Sequence, residues 1–250
     1  MSKRNGHEAA PSRGGWRRWW PLALLAAGAA AFFALGGDRW LSFEALRQHR
    51  LALLALVEAH PALSRLAYVA AYVLVVAFSL PGGAVMTIAG GFLFGVVGGG
   101  LLAVTGATLG ATALFLAART SMGEALAAKA GPRLARMREG FARDAMSYMF
   151  ALRLIPAFPF FLVNLAPALL GVPLRIYLVA TFFGIMPGTF VYALAGAGLG
   201  GVFDRGETFS MASVMTPEML GALVGLGLLA LLPVAWRRFK GSALAGEDGA

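Results

Sequence analysis

The chain has 250 residues, 59% hydrophobic and 13% charged, with a mean hydropathy of +0.74; soluble domains carry about 25% charged residues, so the composition excludes a soluble globular protein and marks an integral membrane protein. With no cysteine, disulfides, thiolate zinc sites and cysteine-held iron–sulfur clusters are excluded. A net charge of +9 suits nucleic acid in a soluble protein, but here the basic residues flank apolar runs, as the positive-inside rule and anionic headgroups favour, and no nucleic-acid module is present.

Residues 1–18 form a basic N-terminus with Lys3, Arg4, Arg13, Arg17 and Arg18, ending in the aromatic belt of Trp16, Trp19 and Trp20. Residues 19–37 are expected to cross the membrane as a helix. The rival, a cleaved signal peptide, fits less well, because the apolar run is long for one and no small-x-small site precedes Asp38. Residues 38–62 mix Arg39, Glu44, Arg47, Arg50 and Glu58 with Trp40, Phe43, Leu46, Leu51 and Leu54, the pattern of a helix at the interface.

Residues 63–200 form the central domain. Its first part, 63–98, is read as a re-entrant hairpin, because Ser79-Leu80-Pro81-Gly82-Gly83 interrupts 53 uncharged residues from Leu66 to Ala118. At membrane depth such backbone survives only when protein shields it or water lines it. A transmembrane helix at 101–118 follows, with the small-xxx-small pair Gly106 and Gly110 for close helix contact. The glycine-rich run from Gly95 to Gly100 lacks the strand and acid of a dinucleotide fingerprint, so helix contact is its expected role too.

Residues 120–145 are basic, with Lys129, Arg133, Arg136, Arg138 and Arg143, and Leu134, Met137 and Phe141 recur at helical spacing. This predicts either an amphipathic helix on the cytoplasmic membrane surface or a plain solvated helix. A second re-entrant hairpin, 146–171, carries Arg153-Leu154-Ile155-Pro156-Ala157-Phe158-Pro159 and then Asn164. A span at 176–200 has Gly184, Pro187 and Gly188 in its middle, and an external loop (201–217), a transmembrane helix (218–236) and a cytoplasmic tail (237–250) complete the chain.

With the first hairpin opening outward and the second inward, sixteen of the 21 Lys and Arg residues fall on the cytoplasmic side, with both termini there. The expected fold is therefore all-α: an inverted repeat of re-entrant hairpin plus transmembrane helix, flanked by an N-terminal and a C-terminal transmembrane helix.

These residues resemble a known family. Leu80-Pro81-Gly82-Gly83, Gly90 through Gly95, Gly106, Gly110-Ala111 and Phe115 through Arg119 are similar to the first half of the VTT domain. Arg153-Leu154-Ile155-Pro156, Phe158-Pro159, Asn164, Gly184-Ile185, Pro187-Gly188 and Tyr192 are similar to its second half. The superfamily is also called DedA or SNARE-associated Golgi protein. The resemblance implies two packed re-entrant hairpins and the movement of phospholipids or polyprenyl-phosphate carriers, coupled to protons in the DedA branch. That branch has a glutamate after the Pro-Gly, where this chain has Gly83, and no acid lies between Glu58 and Glu124. The chain therefore resembles the eukaryotic Golgi-type branch more than classical DedA.

Arg153 is the sharpest candidate, since a guanidinium before a helix break suits a phosphate; Arg119 and Asn164 are the other expected substrate-binding residues. Pro81, Gly82, Gly83, Pro156, Pro159, Gly184, Pro187 and Gly188 are expected to shape the hairpins or hinge the span. No Ser/His/Asp set, carboxylate pair or phosphate loop is visible in the membrane portion, so an enzyme is not expected. His7, His49 and His60 lie in polar segments without metal-ligand neighbours, so neither metal nor cofactor is expected. The expected function is translocation of an anionic lipid or lipid-linked phosphate in a bacterial inner membrane. A non-transporting membrane scaffold or assembly factor that uses the basic helix, and a small-ion or solute carrier, are the alternatives. Anionic lipids are the expected partners, with a homo-oligomer left open.

Overall fold

A computed structural model describes residues 19–128, 132–156, 158–204, 214 and 216–247. The expected basic N-terminus, most of the external loop and the end of the tail lie outside them. The described elements are helices: α1 (Trp20–Ala34), α2 (Gly37–Trp40), α3 (Phe43–Ala59), α4 (Pro61–Ala77), α5 (Gly83–Ala128), α6 (Pro132–Leu154), α7 (Phe160–Leu169), α8 (Leu174–Ala197), α9 (Leu199–Asp204) and α10 (Pro217–Glu247). Three stretches are long and apolar enough to cross a bilayer: Gly83–Ser121, Leu174–Ala197 and Met219–Trp236. The chain is a multi-pass membrane protein.

α1 has only 15 residues, about 22 Å at 1.5 Å per residue, against a hydrocarbon core of about 30 Å. It stops where Gly36 takes φ 71°. The expected interfacial segment is α2 and α3. Ser42 opens α3 by accepting from the Ala45 N–H at 3.1 Å, and α3 ends at His60 because Pro61 begins α4. Leu46 of α3 packs with Ile88 and Leu199, which seats α3 against the helices of the central domain.

The first break is a helix cap followed by a proline. Ser79 adopts the left-handed φ of 53°, the Leu80 N–H donates to Val75 O at 2.8 Å and the Ser79 N–H to Val76 O at 3.0 Å. This is a Schellman motif. Pro81, Gly82 and Gly83 then turn the chain into α5. Within α5 the backbone breaks at Gly95, where φ is 74° and ψ 174°, a region only glycine occupies readily. A Cβ there would meet nothing within 4 Å, so the constraint is conformational. The limb 83–94 folds back on the limb that follows; the latter was expected at 101–118 but begins at 96 and continues through Arg119 to Ala128.

Tyrosines hold the first limb to α4: Tyr68 donates to Met86 O at 2.8 Å, and Tyr72 to Gly83 O at 3.2 Å. Gly110 lets α5 approach α4, since a Cβ there would lie 2.6 Å from Val73 O. α5 and α8 cross at similarly close range, where Gly91 faces the Ala193 backbone and Gly196 faces that of Ile88. The centre of the core is Phe115 against Tyr177, ring centroids 4.3 Å apart, both fully buried.

The second half repeats the order of the first: a helix (α6), a proline break, a short helix (α7), a glycine at positive φ (Gly171, 80°) and a long helix (α8). α6 joins part of the expected basic helix to the start of the expected second hairpin and is broken at Asp144 (φ −131°, ψ 36°). α8 runs from Leu174 to Ala197 with Pro187, the expected kink or hinge of this span, inside it.

Candidate functional site

Four polar side chains meet where α6, α7 and α8 converge. Arg153, in the last turn of α6, donates from Nη1 to Asn164 Oδ1 at 2.8 Å. It donates from Nη2 and Nε to Thr181 Oγ1 at 2.9 and 3.2 Å. Its guanidinium carbon stands 5.2 Å from the ring centre of Tyr177, within cation–π range. Tyr177 donates to Ala111 O on α5 at 3.1 Å and reaches Asn164 Oδ1 at 3.3 Å. Asn164, Tyr177 and Thr181 are buried and Arg153 is half-buried.

Each element contributes for a reason legible in its sequence. Tyr177, Thr181 and Gly184 are spaced by four and three residues and so share one face of α8. Gly184 is a space-maker there: a Cβ would lie 2.8 Å from Arg153 Cβ. Thr181 lies seven residues into α8, about 10 Å along its axis. Asn164 is midway along α7, which starts directly after Pro159, with Leu162 N–H donating to Pro159 O at 2.9 Å.

The electrostatics are one-sided. Among the described residues Arg153 has no carboxylate partner; its acceptors, Asn164 and Thr181, are neutral. A guanidinium has five N–H donors, and three are committed here, leaving two. Asn164 Nδ2 is buried without a partner. Exchanging its oxygen and nitrogen would set the NH₂ against the Arg153 Nη1 donor, so that hydrogen bond fixes the amide orientation. On α5, one turn before Ala111, Thr108 Oγ1 is likewise buried and unpartnered. Among the described residues no three His, Asp or Glu side chains gather as metal ligands.

The chain matches the VTT domain over residues 80–198, a stretch that contains both breaks and all four side chains of the cluster. The chain carries a VTT domain. Its relatives include a Transmembrane protein 41 homolog from Dictyostelium discoideum, 32% identical over 65% of this chain and 48% of that protein. Transmembrane protein 41B from Mus musculus is 28% identical over 69% of this chain and 58% of its own length. A homolog from Caenorhabditis elegans is 27% identical over 67% of each chain. The chain thus spans about half the length of the first two. No solved structure matches.

Within the VTT domain, the expected site residues separate. Arg153 and Asn164 are hydrogen-bonded to each other. Arg119 is exposed on α5 and has no hydrogen bond to either. Pro81, Gly82 and Gly83 line a cleft of about 320 Å³ whose opposite wall is Phe160 and Phe161, so the first break faces the start of α7. Pro156 and Pro159 bound the second break, and Gly188 would meet nothing within 4 Å of an added Cβ. Sequence reasoning did not single out Thr181 and Tyr177; their signal was the spacing 177, 181, 184 on one face of an apolar span.

Proposed function

We propose that this VTT-domain protein moves an anionic lipid, or a lipid-linked phosphate, across the bilayer, with Arg153 holding the headgroup. The observation that carries the reading is the uncompensated guanidinium. An arginine among apolar helices costs about 2.5–3.5 kcal/mol even on insertion scales, and membrane arginines pair or mark a substrate path. This one is oriented by neutral acceptors and keeps two N–H groups uncommitted. A phosphate oxygen would take them and, as the helices part, the unpartnered Asn164 Nδ2.

The architecture behind this reading is an inverted repeat. In it α4 with the limb 83–94, and the end of α6 with α7, are re-entrant hairpins entering from opposite faces; the cleft that Pro81, Gly82 and Gly83 share with Phe160 and Phe161 supports this reading. The charge distribution supports cytoplasmic termini, and the membrane proposed is a bacterial inner membrane. The chain acts as a carrier, with Asn164, Thr181 and Tyr177 orienting Arg153, and forms no covalent intermediate.

The test is lipid flipping in proteoliposomes containing fluorescent phosphatidylglycerol or polyprenyl phosphate, wild type beside Arg153→Ala and protein-free vesicles. Flipping by wild type and background rates for a folded Arg153→Ala protein are expected. If correctly inserted wild type moves no lipid across that panel, translocation is abandoned; if Arg153→Ala flips at the wild-type rate, the headgroup role of Arg153 is lost.

A further inference from the structure

We propose that Arg138 is a positioning residue: it clamps the C-terminal end of α7 to α6 and thereby fixes Asn164 beside Arg153. α7 has 10 residues, with Pro167 inside it. Helices this short are marginal without tertiary support. At its end a second Schellman motif forms, with Val172 N–H donating to Pro167 O at 3.0 Å and Gly171 N–H to Ala168 O at 3.4 Å. The next carbonyl, that of Leu169, would in a continuing helix accept from residue 173. That residue is Pro173, which has no N–H.

Arg138 supplies the missing donors. Its Nη2 and Nε reach Leu169 O at 2.8 and 3.2 Å, across 31 residues of sequence. A cation at a helix C-terminus also meets the negative end of the helix dipole. α7 is therefore held by two arginines of one helix, Arg138 at its end and Arg153 at its middle through Asn164. The two arginines stand on opposite sides of the α6 break at Asp144, so α7 also splints that break. Arg138 is thus a structural cation, although its sequence context is that of a basic surface helix.

The clamp bears on the proposed headgroup site, but its first test does not require transport. Hydrogen–deuterium exchange would be followed in wild type, Arg138→Met, Arg138→Lys and Arg143→Met; Arg143 is an exposed arginine of the same helix and controls for lost charge. Arg138→Met is expected to speed exchange at 163–170 at least tenfold, with 177–184 unchanged and Arg143→Met like wild type. Arg138→Lys, with one ammonium where the fork was, is expected to fall between. Unchanged exchange in α7, or equal loosening by Arg143→Met, overturns the clamp. If Arg138→Met does not fold, Arg138→Lys alone decides, and wild-type exchange there overturns it. In the flipping assay, Arg138→Met is expected to raise the half-saturating fraction of anionic lipid several-fold more than it lowers the maximal rate, with partial rescue by Arg138→Lys. A fall in maximal rate alone would overturn the link to Asn164 even if the clamp stands.

Discussion

Asn164 is the residue at which two explanations of the cluster part. If its neutrality serves only packing, Asn164→Asp should merely disturb the site. If the site is kept positive to receive an anion, the new carboxylate pairs with Arg153 and also removes the unpartnered Nδ2 donor, whose burial costs about 1–3 kcal/mol. The expected outcome is a higher melting temperature in detergent, by several degrees, together with loss of lipid flipping. Thr181→Val, nearly isosteric, strips the acceptor shared by Nε and Nη2 and is expected to destabilise by about 1–3 kcal/mol, read as a lower melting temperature. Arg153 and Asn164 were legible in the sequence because each is a polar residue beside prolines in an apolar run. Thr181 was not, because threonine hydroxyls in spans commonly bond within their own helix, as Thr105 does to Leu101 O at 2.8 Å, and Tyr177 was not, because an aromatic in an apolar span reads as core. Only the packing of α6 on α8 distinguishes the two cases.

Helices broken by design place different demands on glycines that look alike in sequence. Gly95 sits at φ 74° and ψ 174°, so Gly95→Ala is expected to cost about 3 kcal/mol and to shift the protein toward aggregate in fluorescence-detected size-exclusion chromatography. Gly140, in α6, would meet nothing within 4 Å of an added Cβ; Gly140→Ala is expected to stabilise by about 0.5–1 kcal/mol in a thermal melt of the same preparation. The order of elements through the central domain could be read from the proline marks and the apolar runs. Their ends could not. α4 stops through the backbone of Ser79, a residue with no breaker reputation, and the turn of α5 is one glycine in a run whose neighbours serve close packing. Arg138 illustrates the same difficulty for charge: its fate depends on a proline 35 residues away in sequence, at the end of another element.

At the level of the molecule, the proposed orientation, with both termini cytoplasmic, rests on where the basic residues fall, and the absence of cysteine makes it directly measurable. Gln48→Cys and Thr120→Cys both replace exposed residues. A membrane-impermeant maleimide applied to intact cells is expected to label Gln48→Cys, and Thr120→Cys only after permeabilisation; the reverse pattern would overturn the orientation. The shared cleft has a further consequence, for biogenesis. The break at Ser79–Gly83 finds its opposite wall in Phe160 and Phe161, which the ribosome makes some 80 residues later. Until then the break lacks that wall, and irregular backbone at membrane depth needs protein or water beside it. A nascent chain stopped before α7 is therefore an orphan half in the membrane, a natural substrate for chaperoning or proteolysis, and the two halves are obliged to mature together.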